Sequence, residues 1–173
     1  MQAQGTERLR DRRWFRWTSQ IAIILAAYLG IRAFQTWGTA DGVAPELDAA
    51  ALDGRRLSLS ELRREGPVLV HFWATWCGVC RVEEGNIESV AEDHRVITVA
   101  TRSPLHDIQR YAQEQALEMP VLPDPDGRLA SAWGVRSFPT SFVVGEDGQI
   151  RHVEVGYTTE LGLRARLLLA DLL

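Results

Sequence analysis

Cys77 and Cys80 are the only cysteines in the chain, and they stand together in the run Trp76-Cys77-Gly78-Val79-Cys80. Thiols this closely spaced lie within bonding reach, so the pair can cycle between dithiol and disulfide. The apolar run Val68-Leu69-Val70-His71-Phe72-Trp73 comes just before it. That run reads as a buried strand delivering the pair to the start of a helix, where free backbone N–H groups stabilise a thiolate. A structural staple would need a distant partner cysteine, and there is none. A zinc or copper site of this kind calls for a second ligand pair, and none is visible, so no metal is assigned. The motif points to a redox centre.

The elements that must position this pair follow from the pattern around it. Val68 to Ala74 is almost continuously apolar, the mark of a strand covered on both faces. Cys77 to Asp93 has helical composition, and Arg95 to Thr101 is a second buried strand, which together make a parallel crossover unit. The dithiol then sits at the carboxyl end of the first strand. Upstream, Asp53-Gly54 within Leu47 to Leu59 signals a hairpin, followed by a short helix from Leu59 to Glu65 capped by Ser58 or Ser60. Downstream, Pro104 to Leu117 reads as helix and Val121-Leu122 as a short extended piece. Asp124 to Gly127 reads as a turn into a short helix through Trp133. Two strands, Thr140 to Val144 and Gln149 to Val155, are joined by the turn Glu146-Asp147-Gly148. A closing leucine-rich helix spans Thr159 to Leu172.

With 173 residues, 46% of them hydrophobic and 24% charged, the chain has room for one well-cored domain and some extra sequence. Charge is uneven along it. Met1 to Trp37 holds six arginines against two acids, net +4, which leaves −8 for the remainder of a chain whose formal net is −4. The body is acidic and its arginines form no stripe, which argues against nucleic acid as a partner. Residues 1–16 read as a basic cytoplasmic head and 17–37 as a transmembrane signal anchor. Trp17 to Ile31 is strictly uncharged, and a helix carried on to Trp37 would span about 31 Å, with Arg32 snorkelling and a tryptophan at each interface. Positive flanks stay in the cytoplasm, so everything past Trp37 is expected outside it, tethered through a linker at 38–45 to a folded domain at 46–173. No small-residue cleavage site follows the apolar run, which favours a retained anchor in the inner membrane with a periplasmic domain.

The strand ending in Phe72-Trp73-Ala74-Thr75-Trp76-Cys77-Gly78-Val79-Cys80, with Gly134-Val135-Arg136-Ser137-Phe138-Pro139-Thr140 far downstream, resembles the thioredoxin superfamily over about 125 residues. Within it, Cys77-x-x-Cys80-x-x-Glu83, Trp133-Gly134-Val135 and the basic, apolar N-terminus resemble the membrane-anchored TlpA-like group. Gly156-Tyr157-Thr158-Thr159-Glu160-Leu161-Gly162-Leu163-Arg164 is most similar to the suppressor-of-copper-sensitivity (ScsD-like) branch of that group. The resemblance implies an α/β thioredoxin-like fold, a central mixed sheet flanked by helices.

It also implies roles. Cys77 is the nucleophile and Cys80 resolves the mixed disulfide, and this redox-active disulfide stands in place of any other cofactor. Pro139 is the expected cis proline, setting the Phe138 backbone opposite Cys77 for a client strand, with Trp76, Gly78, Val79 and Thr140 around it as the client-binding surface. His71 lies six positions before Cys77, where thioredoxin itself keeps a buried acid. It could take the proton of the resolving thiol, or simply be satisfied by a core hydrogen bond. Glu83, one turn past Cys80, is the second acid–base candidate, against a solvated helix glutamate.

The expected function is that of a membrane-tethered protein thiol:disulfide oxidoreductase. Its partners would be client proteins bearing thiols or disulfides, a membrane electron-transfer partner, and the lipid bilayer around the N-terminal helix. A reductant linked to copper and oxidative stress leads. Reduction of an apocytochrome during cytochrome c maturation is the alternative within the same chemistry. A copper-binding chaperone is the alternative outside it, and soft ligands are scarce for that role, because the only methionines are Met1 and Met119.

Overall fold

The computed structural model describes residues 17–31, Thr36 and 38–172. The chain divides into two units, residues 1–37 and 38–173. In the first, residues 17–31 are helical, and the large apolar side chains there, from Trp17 through Ile31, are exposed. Fifteen helical residues rise about 22 Å, against a hydrocarbon core of about 30 Å. Among the described residues no helix is long and apolar enough to cross a membrane. The expected 21-residue span needed positions 32–37, of which 32–35 and 37 lie outside the described residues, as does the basic head at 1–16.

The second unit is built on a five-stranded mixed sheet with the order β5-β4-β3-β6-β7. Its strands are β3 (Val68–Trp73), β4 (Arg95–Thr101), β5 (Val121–Asp124), β6 (Thr140–Val144) and β7 (Ile150–Val155). β3 runs parallel to β4 and antiparallel to β6, which puts it at the centre, and all six of its residues are buried, as its unbroken apolar run requires. Alternate residues of β3 serve opposite layers. Val68, Val70 and Phe72 join Ile97, Val99, Phe142, Ala130 and Trp133 in one core. Leu69 joins Ile87, Val90, Leu163 and Leu167 in the other. The first core lies under α1 (Leu59–Leu62) and α4 (Arg128–Ala132). The second lies under α2 (Gly78–Ala91) and α5 (Glu160–Asp171). A separate two-stranded ribbon pairs β1 (Asp48–Ala50) with β2 (Arg56–Ser58) around the Asp53-Gly54 turn. This is the thioredoxin-like arrangement that the resemblance implied.

Three local readings change. The helix expected at 59–65 is α-helical only to Leu62 and finishes as a 3-10 turn; Ser58 stands at its N-cap in extended conformation but makes no side-chain cap hydrogen bond, its hydroxyl lying 2.8 Å from that of Ser60. The helix expected at 104–117 is α3 (Leu105–Glu114), ended by Ala116 turning to φ 51°. Residues 38–45, read as a tether, are hydrogen-bonded to the domain. Ala40 N–H donates to the Trp133 carbonyl at 2.9 Å, Ala44 N–H to Gly148 at 2.8 Å, and Gly42 accepts from Ile150 N–H at 2.7 Å. The contact is possible because Gly134 lacks a side chain. A β-carbon there would stand 2.1 Å from the Gly38 carbonyl oxygen, and its φ of 65° disfavours one in any case.

Candidate functional site

β3 ends at Trp73, and after the three residues Ala74-Thr75-Trp76 the chain enters α2 with Cys77 as its N-cap. Cys77 and Cys80 are joined as a disulfide with Cα atoms 5.3 Å apart. The Cys80 N–H points at Cys77 Sγ at 3.1 Å, so an orphan donor of the first helical turn is directed at that sulfur, a placement that favours a thiolate there. Both cysteines are largely enclosed, 6% and 5% exposed, so exposure does not separate nucleophile from resolver. Their positions differ: Cys77 caps the helix and Cys80 sits inside its first turn. Around them Trp73, Ala74, Ala100, Ile108 and Val121 form an apolar bed against which Phe138 and Tyr111 also pack.

Of the residues expected at the client face, Trp76 and Val79 are exposed, at 59% and 47%, and Gly78 is exposed between them. The Trp76 indole is fixed, its N–H donating to the Arg102 carbonyl at 3.0 Å and its ring meeting Phe138 edge-on at 5.6 Å. The Phe138–Pro139 bond is cis. Among the described residues neither the N–H nor the C=O of Phe138 has a hydrogen-bond partner. Thr140 is placed differently from its expected role. It is 1% exposed, pairs with Phe72 on one side and Val155 on the other, and donates its hydroxyl to Ser137, so it cannot face a client.

Two buried titratable groups lie on the elements that flank the disulfide, His71 on β3 and Glu83 on α2. His71 is 2% exposed, and its Nδ1 shares a 2.9 Å hydrogen bond with Ser141 Oγ, the residue opposite it on β6. Burial pushes the imidazole down to about 3, so it stays neutral. Glu83 is fully enclosed, and its Oε1 accepts the Thr158 N–H at 3.0 Å while Oε2 has no partner. Loss of water raises this carboxyl to about 7, with the Thr158 hydrogen bond opposing and the nearby Glu154 charge adding to the rise. Glu154 itself is held by Arg166 at 2.7 Å.

The sequence reading missed the loop that closes this side. Gly156 N–H donates to the Pro139 carbonyl at 2.9 Å, and Asn86 of α2 donates to the Tyr157 hydroxyl and the Thr158 carbonyl at 3.2 and 3.0 Å. The cis-proline loop, the β7–α5 loop and the active-site helix are thereby tied into one frame. Asn86 carried no signal in sequence, because its partners lie 71 and 72 residues away. No group of three or more potential metal ligands converges among the described residues.

Residues 41–153 match the sequence pattern of the AhpC/TSA family. The chain belongs to the AhpC/TSA family. Among its relatives, a thioredoxin-like protein of Haemophilus influenzae is 34% identical over 122 residues, covering 69% of this chain and 72% of that one. The thiol-disulfide oxidoreductase ResA of Halalkalibacterium halodurans is 29% identical over 161 residues, 87% of this chain and 90% of its own. Among solved structures, a thioredoxin-family thiol:disulfide interchange protein of Chlorobium tepidum superposes with a TM-score of 0.66 at 25% identity. The match covers 76% of this chain and 97% of that one. With its two cysteines joined at the start of the helix, this AhpC/TSA-family chain is a protein thiol:disulfide oxidoreductase of the ResA and DsbE type.

Proposed function

We propose that the protein is a membrane-tethered, extracytoplasmic reductant of client disulfides, with copper and oxidative stress as the setting in which such clients arise. The observation that carries the chemistry is the Cys77–Cys80 disulfide at the N-terminus of α2 beside a cis-proline loop with a free backbone edge. In the reduced protein, Cys77 thiolate attacks one sulfur of a client disulfide. That S–S bond breaks, the Cys77–client bond forms, and the second client sulfur leaves as thiolate. Cys80 then gives up its proton and attacks Cys77 Sγ, which restores the Cys77–Cys80 bond and releases the first client sulfur. One client disulfide becomes two thiols while one enzyme dithiol becomes a disulfide, so an external dithiol must return the two electrons.

The proton from Cys80 is assigned to Glu83 and not to His71. A carboxyl raised to about 7 exchanges a proton readily near neutrality, whereas an imidazole held near 3 cannot keep one there. His71 is then the core histidine, satisfied by Ser141. The tether is supported by the uncharged helical run 17–31, whose large apolar side chains are exposed, and the extracytoplasmic setting by the arginine-rich stretch before it.

The equilibrium reduction potential of Cys77/Cys80 tests the direction. A value at or below about −220 mV is expected of a reductant, and one near −120 mV would recast the protein as a disulfide donor.

A further inference from the structure

The loop after β4 places Arg102 in the left-handed region, at φ 49°, where residues with a β-carbon are uncommon. Several hydrogen bonds hold it there. Arg102 N–H donates to the Asp124 carbonyl at 3.0 Å, and the Arg102 carbonyl accepts the Trp76 indole N–H at 3.0 Å. The next residue, Ser103, accepts the Thr75 N–H at 3.3 Å and the Thr75 hydroxyl at 3.2 Å. The loop is thus fastened to the two residues immediately before Cys77. Its guanidinium carbon lies 5.8 Å from the centroid of Phe138, the ring that Trp76 also meets.

Arg102 is exposed, and among the described residues no carboxylate pairs with it. Arg164 and Arg166, by contrast, are each neutralised by a carboxylate at 2.7 Å. An aromatic face orients a guanidinium without cancelling its charge and leaves its fork of N–H donors free for a carboxylate. This cation stands on an otherwise acidic body, net −8 beyond Trp37. At long range that body repels acidic proteins, so the attraction of Arg102 acts only within about one Debye length, roughly 10 Å. It reads the residues flanking a client's cysteine, not the client's overall charge.

We propose that Arg102 determines client specificity by selecting disulfides that have an aspartate or glutamate side chain close by in the client segment. This rests on the exchange reaction proposed above. The test uses the full chain, reduced and held in mild detergent, with three synthetic disulfide peptides that differ only in Glu, Gln or Arg beside the cysteine. In each turnover the peptide disulfide becomes two thiols and the enzyme dithiol becomes a disulfide, and the rate is read from the peptide thiols released. The expected order is Glu above Gln above Arg, with about tenfold between the extremes at low ionic strength, as befits one exposed charge pair, and narrowing in 1 M salt. Arg102→Gln should bring the Glu-to-Arg ratio to near one, Arg102→Glu should invert it, and Arg102→Lys should keep its sign. A ratio cancels any change in Cys77 reactivity common to all three peptides. No ordering in the natural protein, or an ordering that survives Arg102→Gln, would overturn the inference and leave the exchange reaction standing. Failure to exchange with any of the peptides would overturn the exchange reading and this inference together.

Discussion

Glu83→Gln separates a buried carboxyl that titrates near neutrality from a glutamate with an ordinary structural role. The native protein holds the Glu83 proton up to about pH 7, whereas the unfolded chain gives it up near 4.5. Between those values the folded state binds more protons, so stability falls as pH rises, and above about 7 the loss is complete. At about 1.4 kcal/mol per pH unit the difference amounts to about 3 kcal/mol. Glutamine keeps the carbonyl oxygen that accepts the Thr158 N–H, and it carries no charge at any pH. Its second polar atom inherits the partnerless place of Oε2 and contributes equally at all pH values. Urea denaturation of both oxidised proteins at pH 5 and pH 8.5 should therefore show the variant gaining about 2–3 kcal/mol on the natural protein between the two conditions. The pH profile of the exchange rate should lose its inflection near 7 in the same variant. A stability difference that is the same at both pH values would show that Glu83 is not protonated in the native state, and the acid–base assignment would fall with it.

His71→Asn has the opposite signature, because His71 stays neutral down to about 3 while the unfolded chain takes up a proton near 6.5. Acid therefore weakens the natural protein, and the stability difference between the two proteins should move by about 3 kcal/mol in the variant's favour from pH 7.5 to pH 4, read from urea midpoints. Cys80→Ser should accumulate a mixed disulfide with a client peptide through Cys77, visible as a mass increment under non-reducing conditions, and Cys77→Ser should not; trapping through Cys80 instead would reverse the assigned roles. Gly134→Ala forces a β-carbon into the Gly38 carbonyl at a positive φ and should cost about 1–3 kcal/mol by thermal unfolding, with protease cleavage appearing in 38–45. An unchanged melting temperature would mean that the segment does not dock there.

Much of the frame could be read from local pattern. The unbroken apolar run of β3, the turn glycines at 54 and 148 and the short cysteine spacing each have a cause within a few residues, and the structure returns them at or near the expected positions. What stayed hidden depends on partners far along the chain. Residues 38–45 have no periodicity because they bind through backbone groups to Trp133 and Gly148, and nothing local says that Gly134 leaves room for them. Thr140 sits next to the cis proline in sequence, yet strand pairing on both sides encloses it. Arg102 is one arginine among 19 until the turn of its own backbone fastens it to Trp76.

Burial decides which of the two enclosed groups can exchange a proton near neutrality. His71 on β3 and Glu83 on α2 are both enclosed, and burial disfavours the charged form of each, which drives their proton affinities in opposite directions. For the histidine this moves titration away from neutrality, and for the carboxyl toward it. A buried histidine is thus a poor proton acceptor in the place where a buried acid is a good one. Between pH 4.5 and 6.5 their effects on stability oppose and nearly cancel, so the plateau of stability is expected there, with acid loss set by His71 and loss toward pH 7 set by Glu83. A protein working near pH 7 therefore operates on the shoulder where Glu83 changes charge, and the group that weakens the fold there is the one proposed to take the proton of Cys80.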